Sequence, residues 1–295
     1  MPEEPLKVKS SLDDTLSLPA VSVNGSAFIY GGIMSIHQLL DTAVEAAVAA
    51  GRLQRSRFAD RLTVDLKGAK NLVTEVDLVS EQLIVERLLA RFPDHGMLAE
   101  EGDYPGGDGT HVWIIDPLDG TTNFAHGYPW FCVSIALQAG GETVIGVIHN
   151  PMTDELFTAA AGIGAFRNGC RISVSERQPL AGALLATGFP YDCATDPENN
   201  FNHFIRFQKA ARGIRRAGAA ALDLAYLAAG RLDGFWEVKL KPWDVAAGTL
   251  LVKEAGGRVS AFDGSPYEVT NHRILASNGL IHDEMIRLLA EEVQP

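Results

Sequence analysis

Cysteine is scarce in this chain of 295 residues: Cys132, Cys170 and Cys193 are the only three, odd in number, far apart and never in a CxxC pair. That argues against a disulfide framework and a thiolate zinc cluster, and fits free thiols in a reducing compartment. Long apolar runs are missing too. The longest early stretch, residues 27–34, includes a tyrosine and two glycines and is far too short to span a bilayer. The first 33 residues carry neither a basic n-region nor an apolar h-region. No signal peptide is therefore expected, and the cytoplasm is the expected compartment. Positive charge is in deficit: 25 Lys and Arg against 37 Asp and Glu leave a net charge of −12, so a nucleic-acid partner, which needs clustered cations, is not expected. No histidines are spaced as HxxxH, and Gly162-Ile163-Gly164 is followed by Arg167 where a dinucleotide loop needs its third glycine, so it reads as a β-turn.

What is present is an ordinary globular composition, 46% hydrophobic and 21% charged, in a chain long enough for two packed subdomains with a sizeable core. Residues 1–33 mix Pro, Glu, Lys, Ser and Asp without periodicity and read as a flexible extension. From Ile36, apolar residues recur at helical spacing (Leu39, Leu40, Ala43, Ala47, Ala50), predicting a helix to about Phe58. A polar loop at 67–71 precedes a second amphipathic helix whose apolar set is Leu78, Leu83, Ile84, Leu88 and Leu89. Strands are expected at 112–115, 131–137, 144–148 and 156–159, bounded by glycines or Asn-Pro. Beyond 176, strands at 184–187, 234–238, 259–262 and 274–277 alternate with helices at 197–211, 218–230, 243–255 and 280–292. The pattern divides into an α+β part, 34–175, and an α/β part, 176–291.

The chemistry concentrates where apolar runs end in acid. Trp113-Ile114-Ile115 delivers Asp116 to a strand's carboxyl end, the edge where ligand sites form. Pro117 stops the ladder, Asp119 follows at a turn, and Gly120-Thr121-Thr122 can open a helix whose free N–H groups suit phosphate. An ordinary Asp-Gly turn with a helix cap would produce the same local string. Glu100-Glu101 ends another apolar run, and Asp244 sits at the start of a helix, where it is either a dipole-stabilised carboxylate or a metal ligand. Lys67 and the run from Asn71 through Thr74 to Asp77 form a further polar segment. Spacing alone does not show that these acids converge.

Taken in order, Ala99-Glu100-Glu101, then Asp116-Pro117-Leu118-Asp119-Gly120-Thr121-Thr122-Asn123, then Pro242-Trp243-Asp244-Val245-Ala246-Ala247-Gly248 and Glu254-Ala255-Gly256-Gly257, resemble the inositol monophosphatase family, most closely its bacterial inositol-1-monophosphatases. The resemblance covers about residues 36–291. It implies a layered αβαβα sandwich of the sugar-phosphatase type and two to three Mg²⁺ ions. Glu100, Asp116 and the Leu118 carbonyl would hold one ion, and Asp116, Asp119 and Asp244 a second. A third would lie by Glu100 near the loop of Lys67, Asn71 and Thr74. Oxygen ligands suit Mg²⁺. It further implies direct attack of an activated water on phosphorus, with Thr121 orienting the water, Glu100 and Asp77 accepting protons, and the Gly120 and Thr121 amides binding phosphate. Inhibition by Li⁺ and a homodimer are implied as well.

Glu237 stands where the family places a carboxylate for substrate hydroxyls, though a strand-end acid can equally be merely solvated. Ala219 and Ala220 match a substrate-contacting loop, but Ala219 replaces the usual Ser or Thr, and Asn71 replaces a more usual Asp. Those departures leave the small phosphorylated substrate open: inositol 1-phosphate first, with fructose 1,6-bisphosphate, histidinol phosphate and 3′-phosphoadenosine 5′-phosphate as alternatives. A regulatory protein-binding role is the rival from another class. A haloacid-dehalogenase-like mechanism needs its two aspartates two residues apart, whereas Asp116 and Asp119 are three apart. Arg212, Arg215 and Arg216 are expected to form ion pairs, within the chain or between subunits, and His126 to be structural.

Overall fold

The computed structural model of the protein describes residues 35–58, 64–66 and 72–290. The expectations for the extension 1–33, for Lys67 and Asn71, and for the helix end beyond 290 lie outside the described residues.

The first helix, α1 (Ile36–Arg57), starts at a reciprocal cap: Ser35 Oγ accepts from the Gln38 amide while the Ser35 amide donates to Gln38 Oε1. Two donors that a helix start otherwise leaves unsatisfied are thereby paired. An antiparallel ribbon, β1 (Val64–Leu66) and β2 (Leu72–Thr74), leads into α2 (Glu75–Arg91). Next come β3 (Gly96–Ala99), β4 (His111–Asp119), α3 (Thr121–Ala125), β5 (Cys132–Ala139), β6 (Glu142–Asn150), β7 (Glu155–Ala160), β8 (Gly164–Arg167) and β9 (Cys170–Arg171). These seven strands form one sheet in chain order, with β3 and β4 parallel and every later pair antiparallel.

The remaining chain supplies β10 (Leu184–Thr187), α4 (Phe201–Ala210), β11 (Gly213–Arg215), α5 (Ala220–Ala228), β12 (Gly234–Val238), α6 (Pro242–Glu254), β13 (Arg258–Ser260), β14 (Arg273–Ser277) and α7 (His282–Ala290). Its five strands are ordered β11-β10-β12-β14-β13. β10 runs parallel to both neighbours, and β14 antiparallel to both of its own.

Both faces of each sheet are covered. On the first sheet, Trp113, Ile115, Val133, Ile135 and Val147 pack under Leu39, Ala43, Ala47, Ile84 and Leu88 of α1 and α2. Their chain neighbours Ile114, Ala136 and Ile148 point the other way, as the pleat requires, onto Leu224, Ala225, Val245 and Leu251 of α5 and α6. That helix pair also meets Ala186, Phe235 and Ala276 of the second sheet. On the outer face, Leu185, Trp236 and Leu275 pack against Phe207 of α4 and Met285 and Leu289 of α7. The result is the five-layer αβαβα sandwich expected from the resemblance. Double coverage also explains why the strands read as continuous apolar runs rather than alternating ones. No helix among the described residues is long and apolar enough to cross a membrane.

Two local expectations need correction. Leu78, assigned to the buried face of α2, is 52% exposed, while Asp77 and Glu81 are buried. The first turn of α2 faces the site described below, so Asp77 is buried there beside Val76. Pro117 interrupts pairing, yet β4 does not end: Asp116 pairs with Ser134, and pairing resumes at Asp119 with Cys132 after a register shift. This bulge turns both aspartates toward the same edge. The short strands β1, β2, β8, β9 and β11 carry too few residues for a periodic signal and were not foreseen.

Candidate active site

Parallel pairing of β3 with β4 sets Ala99 beside Ile115, so the next residues, Glu100 and Asp116, lie side by side at this edge. The Glu100 amide donates to the Ile115 carbonyl at 3.2 Å, holding this edge together. The N-termini of α5 and α6 come to the same edge from the layer behind. They enclose a cleft of about 600 Å³, with Glu100, Asp116, Asp119 and Thr121 on one wall and Asp223, Glu237 and Asp244 on the other. A cleft this size suits a small organic ligand.

Most of these acids are tied down. Asp116 Oδ1 accepts from the Leu118 amide at 3.0 Å, and Pro117's carbonyl accepts from Gln54 Nε2 at 2.6 Å, pinning the bulge to α1. Asp119 Oδ2 accepts from the Ala221 amide at 2.7 Å. It thereby caps α5, whose own cap residue Ala219 has no side-chain acceptor. Asp244 Oδ2 accepts from the Lys241 amide at 2.7 Å in the first turn of α6. Buried Asp77 accepts from the Thr74 amide and hydroxyl through Oδ2, and from Thr121 Oγ1 at 2.8 Å through Oδ1. Gly120 has φ of 98°, and a Cβ there would lie 2.9 Å from the Trp130 carbonyl, so only glycine makes this turn into α3.

The expected site residues on the described chain therefore line one cleft: Glu100, Asp116, Leu118, Asp119, Gly120, Thr121, Ala219, Ala220, Glu237 and Asp244. Asp77 lies behind Thr121, and Thr74 caps α2. Three further wall residues were not among those expected at the site. Asp223 lies in the first turn of α5 and Arg216 just before it. The third, Gly188, follows β10, where a Cβ would stand 2.1 Å from Glu237 Oε1. Within the chain, the arginine cluster forms no ion pair among the described residues. Instead, Arg212 and Arg215 donate to the carbonyls of Gly182 and Ile214, and Arg216 faces the cleft. His126 Nδ1 contacts the Thr122 carbonyl four residues earlier. Asn123 Nδ2 bridges the carbonyls of Trp130 and Ala217 and locks α3 to the segment before α5.

Packing so many carboxyls together opposes their ionisation. Burial first, then the charges of Glu100, Asp119, Asp244 and Asp77, raise Asp116 well above the usual range. Burial likewise dominates at Asp119, pushed up to about 7 despite its amide hydrogen bonds, and at Asp244. No three His, Cys, Asp or Glu side chains among the described residues stand as a finished metal shell. The donor chemistry nevertheless fits a hard divalent cation. Glu100, Asp116, Asp119, Asp244 and the Leu118 carbonyl offer only oxygen, and a cation relieves the repulsion that raises these groups.

The profile of the inositol monophosphatase family matches residues 35–294. An inositol-1-monophosphatase of Synechocystis sp. is 47% identical over 257 residues, spanning 86% of this chain and 90% of that one. A Nus factor SuhB of Pseudomonas aeruginosa is also 47% identical, over 264 residues, spanning 87% of this chain and 96% of its own. The structure of inositol monophosphatase from Anabaena (Nostoc) sp. matches with a TM-score of 0.79 at 46% identity, covering 86% of this chain and 95% of that one. Motif order, five-layer fold and acid-walled cleft agree with these likenesses: the chain belongs to the inositol monophosphatase family and is a phosphoric monoester hydrolase.

Proposed function

We propose that the chain hydrolyses inositol 1-phosphate, or a similar small polyol or sugar monophosphate, by Mg²⁺-dependent attack of water on phosphorus. The observation that supports this most is the meeting of Glu100, Asp116, Asp119 and Asp244 on one cleft, with Thr121 bonded to buried Asp77 beside them. Those four carboxylates and the Leu118 carbonyl would hold two to three Mg²⁺ ions, which when bound would supply charge neutralisation for the phosphate and lower the pKa of water. Thr121 donates its proton to Asp77 Oδ1, which leaves its oxygen lone pairs to orient the attacking water and take its proton. Glu100 is the second acceptor. The N–H groups of Gly120 and Thr121 bind phosphate oxygens, Ala219 and Ala220 shape the wall, and Glu237 accepts hydrogen bonds from substrate hydroxyls. No phospho-enzyme forms. We read the enzyme as a cytoplasmic homodimer.

The test is phosphate release from inositol 1-phosphate, fructose 1,6-bisphosphate, histidinol phosphate and 3′-phosphoadenosine 5′-phosphate, with Mg²⁺, with EDTA, and with Mg²⁺ plus Li⁺. The expected result is turnover that needs Mg²⁺, falls with Li⁺ and is highest on inositol 1-phosphate. Turnover that survives EDTA would overturn the metal reading. A different favourite would overturn the substrate. A second reading, a regulatory protein-binding role beside catalysis, draws on the equal identity of the relative named Nus factor SuhB. It predicts that a catalytically dead variant still complements a deletion.

Gly188 provides a narrower check on Glu237. Its backbone accommodates alanine, and the atoms a new Cβ would meet are the Glu237 carboxylate, the flexible end of a side chain. Gly188→Ala should therefore fold normally while displacing that carboxylate. Losing a hydrogen bond to a charged group costs ~1.5–3 kcal/mol, so KM for inositol 1-phosphate is expected to rise about tenfold or more with kcat nearly unchanged. An unaltered KM would remove Glu237 from the substrate site.

A further inference from the structure

Among the acids of the cleft, two differ from the rest in their bonding. Asp77, Asp116, Asp119 and Asp244 each accept a hydrogen bond from a protein amide. Asp223 and Glu237 are just as deeply placed, 3% and 8% exposed, yet among the described residues no hydrogen bond reaches either carboxylate. A buried carboxylate without a donor costs free energy that folding alone does not recover. Burial first, then the neighbouring acids, raise both carboxyls well above the usual range; Arg216 opposes this but makes no ion pair with either. Their free lone pairs therefore stand open to the cleft. Donors that would satisfy them must arrive with the ligand.

We infer that Asp223 is a second substrate-binding residue, which together with Glu237 accepts hydrogen bonds from adjacent hydroxyls of a polyol monophosphate. This rests on the reading of Glu237 given above and extends it from one hydroxyl acceptor to a pair. The pair also fixes the substrate class. Two unpartnered acids beside a single guanidinium suit neutral hydroxyl donors, as the leaving group of a polyol monophosphate carries. Asp223 comes from α5 and Glu237 from β12, so two separate elements of the same wall bring the pair to the leaving group.

The experiment compares the full-length enzyme with Asp223→Asn and Asp223→Ala on inositol 1-phosphate and on p-nitrophenyl phosphate, whose leaving group carries no free hydroxyl. Wild-type preference for inositol 1-phosphate, measured as kcat/KM, tests the reading of the cleft. Loss of that preference in the variants tests Asp223. Expected is a rise of about tenfold or more in KM for inositol 1-phosphate, with p-nitrophenyl phosphate turnover held within about twofold. Melting curves matching wild type are expected for Asp223→Asn, which keeps the side-chain volume. Equal losses on both substrates would assign Asp223 a structural role and overturn the inference, as would unchanged constants on both. A wild-type enzyme without preference would overturn the pair and the substrate reading together.

Discussion

Asp116→Asn is expected to reduce turnover by ~10³-fold or more, because an oxygen contributed to transition-state charge balance has effects of that order. The same change is expected to raise the melting temperature in EDTA. Asparagine keeps the volume and the acceptor for the Leu118 amide at 3.0 Å. What it removes is a charge that is 2% exposed and opposed by burial and by Glu100, Asp119, Asp244 and Asp77. In the metal-free protein that charge is a liability, and each kcal/mol relieved is worth roughly 2–4 °C in a chain of this size. Mg²⁺ is expected to raise the melting temperature of wild type and to act much more weakly on the variant. A variant that keeps wild-type turnover, or melts lower than wild type in EDTA, would contradict the view of Asp116 as a strained ligand.

The same electrostatics set a pH dependence. Asp119 is pushed up to about 7 in the folded chain, chiefly by burial, against about 3.9 when unfolded. A carboxyl raised in this way binds its proton more tightly folded than unfolded. Its stabilising contribution is present in acid and fades as pH climbs from near 4 through 7. Asp116 and Asp244 are shifted in the same direction. Metal-free protein is therefore expected to melt higher at about pH 5.5 than at about pH 8. If Mg²⁺ binds here as proposed, it needs the deprotonated carboxylates, and adding it is expected to reverse the order.

How much of this was legible beforehand depends on whether the signal was local. The apolar run ending in Asp116 could be read because β4, buried on both faces, must be apolar up to the cleft, whereas the run ending in Glu100 lies on edge strand β3, where Leu98 is exposed. That the two acids stand together could not be read, since it follows from the parallel register of Ala99 with Ile115. Asp223 was invisible because Leu222-Asp223-Leu224 reads as an ordinary helical turn; only the meeting of α5 with the cleft shows that this turn points at a ligand site. Gly188 had no signal at all, its constraint being a side chain 49 residues later. Leu78 misled for the opposite reason: its apolar character suits a core helix, but the first turn of α2 belongs to the site. Long periodic elements announce themselves, whereas residues whose neighbours are chosen by topology do not.

Thr121→Val is the second change expected to have a large effect, lowering kcat by ~10²–10³-fold, the range of a lost general base, with little change in KM. Valine keeps the β-branch and the fit to α3 but cannot donate to Asp77 Oδ1 at 2.8 Å. Asp77 keeps the two donors of Thr74 on Oδ2, so the loss to stability is one hydrogen bond at a charged, buried group, ~1–3 kcal/mol. Thr121→Ser restores the donor and is expected to recover most of the rate. Asp77→Asn probes the same link from behind. Its amide must turn its oxygen to the Thr74 donors, which leaves its NH₂ group facing Thr121 Oγ1. The hydroxyl then accepts where it formerly donated, and a lone pair needed for the water's proton is consumed. Asp77→Asn is therefore expected to lose activity nearly as severely as Thr121→Val although it never touches substrate. Because the two residues act as one unit, the double variant is expected to be scarcely worse than either single change. Multiplicative losses in that cycle, or kcat within about threefold of wild type for Thr121→Val, would show that water is oriented by some other group.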